Sequence, residues 1–511
     1  MSVRTFAAID VGSYELTMKI FEFSGKDTMR EIDCVSKRLD LGSDTFAMGK
    51  ISNEKMDELC RTLKDFSDIM KTYRVKDYKA YGTSAIRETE NTTIVQDQIA
   101  QRTGIWVEVL GNAEQRFLDY KSVASKGESF RKIIEGKTAI LDIGGGSIQL
   151  SLFDNDTLVS TQNLRLGVLR LQDYLNRFEV RGSQKEELIN EMAMARLDTY
   201  KRLYLKDREI RNLIVVDDYV SPWAVRKQKS GDKKEFLEVA DFERLFEVLH
   251  DRNPVQIARA MAISEERIPL VFISAVLIKY IAELMGIQRI WVPGVTLCDG
   301  IAYEYAEKIK MFRGEHDFEE DIIACAANIS KRYMGSRKRS DVLENFTTTI
   351  FDSMRRVHGL GKRERLYLRL AVILHECGKY ISLVDIGETS YQIVMSTEII
   401  GISRQEREIV ANVVRFNHSR FVYDGHQTGM SREPFLVVAK LTAILRLANS
   451  LDRSHKQKFK GLKAVLKDNQ LVLTVDTQED ITLEKGFFEA NSDFFKEVFS
   501  VEPVLKHRKI F

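Results

Sequence analysis

The chain has 511 residues, too many for one ordinary core, so three or four domains are expected. Hydrophobic residues make up 44% and charged residues 30%, the mixture of a soluble globular protein, and a net charge of +2 is too weak to suggest a nucleic-acid binder. Cys34, Cys60, Cys298, Cys325 and Cys377 form no C-x-x-C pair, which argues against a disulfide framework or zinc site and for a reducing, cytoplasmic setting.

Met1–Arg4 carries no signal-peptide pattern and leads straight into a strand. Thr5–Ile9 is a short apolar run, followed by Asp10-Val-Gly-Ser13 and by Tyr14–Phe23 with partial alternation; this reads as strand, tight turn, strand. Asn53–Tyr73 has helical spacing with Ser52 as its cap. Strand-like Tyr78–Tyr81 precedes Gly82-Thr-Ser-Ala-Ile-Arg87, and Ile105–Leu110 precedes Gly111-Asn-Ala-Glu114. Thr138–Leu141, Asp142-Ile-Gly-Gly-Gly-Ser147 and Ile148–Phe153 then repeat the first hairpin's design, which a duplicated α/β lobe with a central cleft would explain. Asn212–Val216 and Gln288–Val292 read as further strands. Ile268–Met285 is strongly apolar but carries Lys279 and Glu283, and reads as a buried helix, not a membrane span. Lys227–Lys234 is a charged stretch expected to be a solvated loop.

From about Tyr303 the pattern turns helical: Phe318–Tyr333, Asp341–Val357, Lys362–His375, Ser403–Phe416 and Glu433–Leu451 are the expected helices. Leu462–Lys467 and Gln470–Val475 form a hairpin candidate around Asp468-Asn469, and Asn491–Phe499 reads as a helix. The expected organisation is two α/β lobes, 1–127 and 128–305, a helical domain, 306–458, and a small α+β segment, 459–511.

Glycine at a hairpin tip leaves backbone N–H groups unhindered, and these can point at phosphate oxygens. An aspartate just before the tip can hold Mg²⁺ directly or through water, because that ion prefers oxygen ligands. One such turn is equally an ordinary tight turn; two of the same design, one lobe apart, favour a phosphate site. Glu114 follows a short strand, where a carboxylate can orient and deprotonate a water for attack on phosphorus. On position alone, a first-turn glutamate at a helix N-terminus is the better reading.

Ala8-Ile-Asp-Val-Gly-Ser13, Tyr81-Gly-Thr-Ser-Ala-Ile-Arg87, Gly111-Asn-Ala-Glu114, Asp142-Ile-Gly-Gly-Gly-Ser147 and Val292-Pro-Gly-Val295 together resemble the exopolyphosphatase/guanosine pentaphosphate phosphohydrolase (Ppx/GppA) family. The resemblance covers roughly residues 5–305. It implies actin-like (ribonuclease H-like) lobes and Mg²⁺-dependent hydrolysis of terminal phosphoryl groups from polyphosphate or guanosine pentaphosphate. By position it implies that Glu114 activates water and that Asp142 associates with the metal. Asp10, Gly12 and Ser13 match one phosphate hairpin; Gly144, Gly145, Gly146 and Ser147 match the other, with Gln149 just beyond. Thr83, Ser84 and Arg87 match a segment lining the cleft, where Arg87 could pair with phosphate. A homodimer built through the helical half is also implied, with no membrane or nucleic-acid partner.

The chain departs from the family pattern in four places. Tyr14 replaces an asparagine, and Ala113 replaces the first of two glutamates. Gln149 replaces a glutamate, keeping hydrogen bonding but losing negative charge. Val295-Thr-Leu-Cys-Asp-Gly300 replaces a Gly-Leu-Arg-Glu-Gly loop and lacks its arginine.

His375-Glu376 resembles the histidine doublet of an HD phosphohydrolase domain, which several members of the family append. No histidine stands near Lys338, Asn449 replaces an expected aspartate, and only His418 and Asp452 remain as further ligands. The expectation is therefore a structural, metal-free HD fold. Arg337, Lys338, Arg339, Arg415 and Arg420 could extend a polyanion track or form an ordinary solvated helix face. The functional expectation is a Mg²⁺-dependent exopolyphosphatase, with a guanosine pentaphosphatase or a non-catalytic polyphosphate or alarmone sensor as alternatives.

Overall fold

The computed structural model describes residues 3–24, 29–178, 184–230, 236–251, 253–261, 263–312, 314, 316–424, 429–459 and 461–508. They fall into two compact units, Met1–Asp317 and Phe318–Phe511.

The first unit contains two five-stranded mixed sheets of one topology. Strands β1 (Arg4–Val11), β2 (Glu15–Phe23), β3 (Met29–Arg38), β4 (Asp77–Gly82) and β5 (Val107–Val109) are ordered β3-β2-β1-β4-β5. Strands β6 (Thr138–Ile143), β7 (Ile148–Asp154), β8 (Thr157–Leu164), β9 (Asn212–Asp217) and β10 (Arg289–Trp291) are ordered β8-β7-β6-β9-β10. In each sheet the first three strands pair antiparallel and the last two join parallel. The repeated Asp-x-Gly hairpin is therefore the tip of one duplicated lobe.

Alternation along β1 gives it two buried faces. Ala7, Ile9 and Val11 face one core with Met56, Leu59, Leu63 and Phe66 of the helix Asn53–Thr72, which Ser52 caps by accepting the Lys55 N–H. Phe6 and Ala8 face another core with Leu118 of the helix Asn112–Ala124 and Leu297, Ile301 and Ala302 of the helix Leu297–Lys308. The chain thus returns from the second sheet to close the first. The second lobe buries Ile268–Met285 as expected: among the described residues this is the one helix long and apolar enough to cross a membrane, yet Leu270, Val271, Ile273 and Leu277 pack into the core with β6 and β9. All five cysteines are free. Lys227–Ser230 ends a helix, not a loop, and the remainder of that charged stretch lies outside the described residues.

The second unit packs the helices Phe318–Arg332, Arg337–Ser353, Lys362–Leu374, Ile386–Ser396, Arg404–His418 and Arg432–Ser450. Strands β11 (Leu462–Lys467), β12 (Gln470–Asp476) and β13 (Glu502–Arg508) make a three-stranded sheet beside the helix Thr482–Phe499. Two elements exceed the sequence expectation. Ile386–Ser396 is rich in β-branched and small residues with weak helix propensity, and packing on Arg404–His418 decides it. β13 contains Pro503, which only an edge strand accommodates, and β13 lies at an edge.

Gly300 fixes how the returning helix Leu297–Lys308 sits. A Cβ there would stand 1.9 Å from the Leu118 carbonyl oxygen, which is immovable helix backbone. Gly300→Ala is expected to destabilise the protein by about 3 kcal/mol or more through overpacking. Thermal or urea unfolding measures this, and a variant as stable as wild type would contradict the close helix contact.

Candidate active site

Both hairpin tips lie at strand ends, and Asp10 and Asp142 hold the same position, one residue before the end of β1 and of β6. The tips meet. Ser13 Oγ is 2.7 Å from Ser84 Oγ and accepts the Ala85 N–H at 3.1 Å, which ties the first hairpin to Thr83–Ser84. Gly145 and Gly146 press against these groups: a Cβ on Gly145 would lie 3.1 Å from Ser13 Cβ, and one on Gly146 3.1 Å from Ser84 Cβ. Side chains at these two positions would push the lobes apart.

The carbonyls of Gly144, Gly145 and Gly146 are bonded to the start of the helix Val168–Arg177. Val168 N donates to Gly144, Leu169 N and Arg170 N to Gly145, and Arg170 Nε to Gly146. In a trans peptide the N–H points opposite its carbonyl, so the amides of Gly145, Gly146 and Ser147 face away from that helix. Consecutive amides of this kind suit a phosphoryl group.

A cavity of about 70 Å³ lies at the meeting point, space for several waters or one hydrated phosphoryl group. Asp10, Gly12, Ser13, Thr83, Ser84, Asp142, Gly144 and Gly145 line it, so the fold brings most of the expected set together. Gly146, Ser147 and Gln149 are not among the lining residues. Arg87 is turned elsewhere, donating to the Leu110 carbonyl at 2.8 Å and to Gln115 at 3.2 Å. Glu114 is absent from the lining; its Oε2 accepts the Gly111 N–H at 3.0 Å and so caps the start of its own helix. The capping reading thus accounts for one of its oxygens. In the loop without the family arginine, Asp299 accepts the Thr296 N–H at 2.8 Å and pairs with Lys19 at 2.9 Å.

Arg267, Asp217 and Asp119 are among the lining residues that carry no motif in the sequence. Arg267 pairs with Glu15 at 3.2 Å and lies over the Tyr14 ring. Asp217 is fully engaged, one oxygen accepting the N–H groups of Tyr219, Val220 and Ser221, the other the Ser274 hydroxyl. Asp119 reaches the cavity from the helix Asn112–Ala124 and is 4% exposed. Its signal in the sequence is a charge amid Leu118, Tyr120 and Val123 on a helix buried nearly all round.

The lining holds six acids, Asp10, Glu15, Asp119, Asp142, Asp217 and Asp218, against one base. Burial, with the charges of Asp142 and Asp10, holds the Asp119 carboxyl well above the usual range; burial and Asp218 push Asp142 up to about 7. Asp10 Oδ1, Asp119 Oδ2, Asp142 Oδ2 and Gln149 Oε1 are buried and receive no hydrogen bond. Orphaned oxygens of this kind fit a hard cation such as Mg²⁺. Among the described residues no three acidic, histidine or cysteine side chains form a metal cage.

A duplicated α/β fold with glycine loops and carboxylates at the strand ends defines a phosphate-handling class of protein. The chain belongs to the Ppx/GppA phosphatase family, whose model matches residues 24–309, while the family's domain III model matches residues 323–492. Exopolyphosphatase 1 of Mycobacterium tuberculosis is 27% identical over 164 residues, 32% of this chain and 46% of that protein. The chain therefore aligns with about half the length of that relative. A guanosine-5'-triphosphate,3'-diphosphate pyrophosphatase of Aeromonas hydrophila is 19% identical over 87% of this chain and 86% of its own. The crystal structure of an exopolyphosphatase from Cytophaga hutchinsonii shares the fold, with a TM-score of 0.51 and 23% identity over 61% of this chain and all of that one.

In the second unit the residues read as HD remnants do converge, but around a guanidinium. Arg339, 3% exposed, donates to Glu376, to the His455 ring and, at 2.7 Å, to Asn449 Oδ1, and lies 3.7 Å from Asp452. A fixed cation thus stands among the would-be metal ligands. Arg339 is no part of a surface track, and Arg415 is paired with Glu388 at 2.8 Å; Arg337, Lys338 and Arg420 are exposed. His375 and His418 stack with ring centroids 6.0 Å apart. Burial lowers them to about 3 and about 4, so both are neutral at pH 7.

A histidine whose folded pKa lies below 6.5 supports the fold fully above pH 6.5, and that support is lost as pH falls toward the folded value. Between pH 6.5 and 5, His375 alone is expected to account for a loss of about 2 kcal/mol. Urea unfolding at pH 7.5 and 5.0 checks this: His375→Asn should flatten the pH dependence, and an equal loss in variant and wild type would refute it.

Proposed function

We propose that the chain is a Mg²⁺-dependent exopolyphosphatase that releases the terminal phosphoryl group of inorganic polyphosphate. The observation that carries this reading is the meeting of two glycine hairpins over a cavity whose charged lining is six acids against one base. A polyanion can enter such a wall only with a cation, and the amides of Gly145, Gly146 and Ser147 supply the complementary cradle. Mg²⁺, when bound, supplies charge neutralisation at the phosphoryl oxygens, and Asp142 would hold it. Gly12, Ser13, Thr83 and Ser84 bind the phosphoryl group from the first lobe. Glu114 positions the attacking water from the start of the helix that bears Gln115 and Asp119; the water's oxygen bonds to phosphorus, its proton passes to the Glu114 carboxylate, and the anhydride P–O bond breaks with its electron pair staying on the bridging oxygen of the shortened polyphosphate, which leaves as orthophosphate is released.

A second reading is favoured by length of match. Relatives aligned over most of both chains are named guanosine-5'-triphosphate,3'-diphosphate pyrophosphatases. The same site could cleave that nucleotide's terminal phosphoryl group, with the nucleoside outside a cavity of this size. A third, a polyphosphate or alarmone sensor in the cytoplasm, is motivated by Gln149 and by Arg339 among the helical unit's remaining ligands. A homodimer and a degenerate HD fold for that unit belong to the same proposal.

Phosphate release from polyphosphates of several lengths, guanosine pentaphosphate and ATP, with and without Mg²⁺, separates the readings. Long polyphosphate should turn over fastest and only with Mg²⁺; tight binding without turnover would favour the sensor. Glu114→Ala is expected to lower kcat by about 100-fold or more. A variant that is merely about 1 kcal/mol less stable, with kcat unchanged, would assign Glu114 to the helix cap alone.

A further inference from the structure

The helix Asn112–Ala124 delivers Asp119 to a place that none of the recognised motifs includes. Asp10 lies on the same face of β1 as Phe6 and Ala8, the face this helix covers. Asp142 projects from β6 opposite the core residues Leu141 and Ile143. Gln149 is its direct antiparallel partner on β7, so the two side chains share that face. Asp119 and Asp142 line the same cavity. Asp119 Oδ2, Asp142 Oδ2 and Gln149 Oε1 are all buried without a donor, and Asp119 and Gln149 are 4% and 3% exposed. Arg116, on the preceding turn, offsets only part of the Asp142 charge.

Two carboxylates with buried oxygens on one cavity need a proton or a cation between them. The set offers only oxygen donors, with no thiolate or imidazole.

We propose that Asp119 is a divalent-cation ligand of this chain, pairing with Asp142 and supplying from the helix the carboxylate that Gln149 does not provide. The inference rests on the Mg²⁺-dependent reading above and assigns its ion a second carboxylate. Gln149 then contributes at most a neutral carbonyl oxygen. The charge of the ion site is kept while its origin moves from β7 to the helix.

Mn²⁺, whose free ion is counted by electron paramagnetic resonance, is the probe, titrated into the full chain without any phosphate compound. Asp119→Asn should weaken Mn²⁺ binding by about tenfold or more. Gln149→Glu should tighten it, and Asp119→Asn with Gln149→Glu should recover most of the loss, which a purely structural role for Asp119 would not produce. Without metal, Asp119→Asn should unfold at a higher temperature than wild type, since it removes a buried repulsion. Wild-type affinity in Asp119→Asn would overturn the proposal, as would a wild type that binds no Mn²⁺ at millimolar concentration. If Asp119→Asn does not fold, Gln149→Glu alone decides: unchanged Mn²⁺ affinity overturns the proposal. Phosphate release is scored separately. A wild type that binds Mn²⁺ through Asp119 yet hydrolyses no polyphosphate sinks the exopolyphosphatase reading and supports the ligand assignment.

Discussion

Carboxylates crowd the cavity where the two lobes of the first unit meet, and the rest of that unit is arranged around this charge. Asp10 and Asp142 arrive by topology, each one residue from the end of a central strand. Asp119 arrives on a helix held between them, and Asp217 is neutralised locally by three amides and a hydroxyl. Buried anions repel, and the unit holds them at strand ends anchored by hydrophobic cores on both faces of the first sheet and on one face of the second.

The glycines serve this constraint in two ways. Gly12, at the first tip, has no room for a Cβ beside the Glu15 carbonyl, and Gly145 and Gly146 let the second tip touch the first. The second unit solves the opposite problem. Its half-buried Glu376 and buried Asp452 have a permanent cation, Arg339, which brings its own hydrogen-bond fork and stays charged. One unit leaves its carboxylate oxygens unpartnered and the other satisfies them, a difference that follows from which side chain occupies each centre.

Much of the first unit is legible before folding. The Asp-x-Gly repeat, the strand runs beside it and the span Ile268–Met285 are local patterns, and local patterns survive into the structure because packing reinforces them. The helices of the second unit are legible for the same reason, except Ile386–Ser396, whose composition is weak until a neighbour covers it. Glu114 was legible as a carboxylate at a helix start. Its bond to Gly111 is legible too, since a glutamate three residues into a helix from a glycine cap is a capping pattern. Arg87 was expected on phosphate because its motif runs through the cleft, but its long side chain reaches Leu110 and Gln115 instead.

The sequence by itself determined the family, the duplicated α/β lobes and the two glycine hairpins, because these depend on short segments whose residues act within a few positions of one another. Only the tertiary structure decided which charges meet. Asp119 and Arg339 carry no motif; each matters because helices distant in sequence set it beside carboxylates from other elements. Burial and Coulomb interactions act through space, and sequence spacing does not encode that distance.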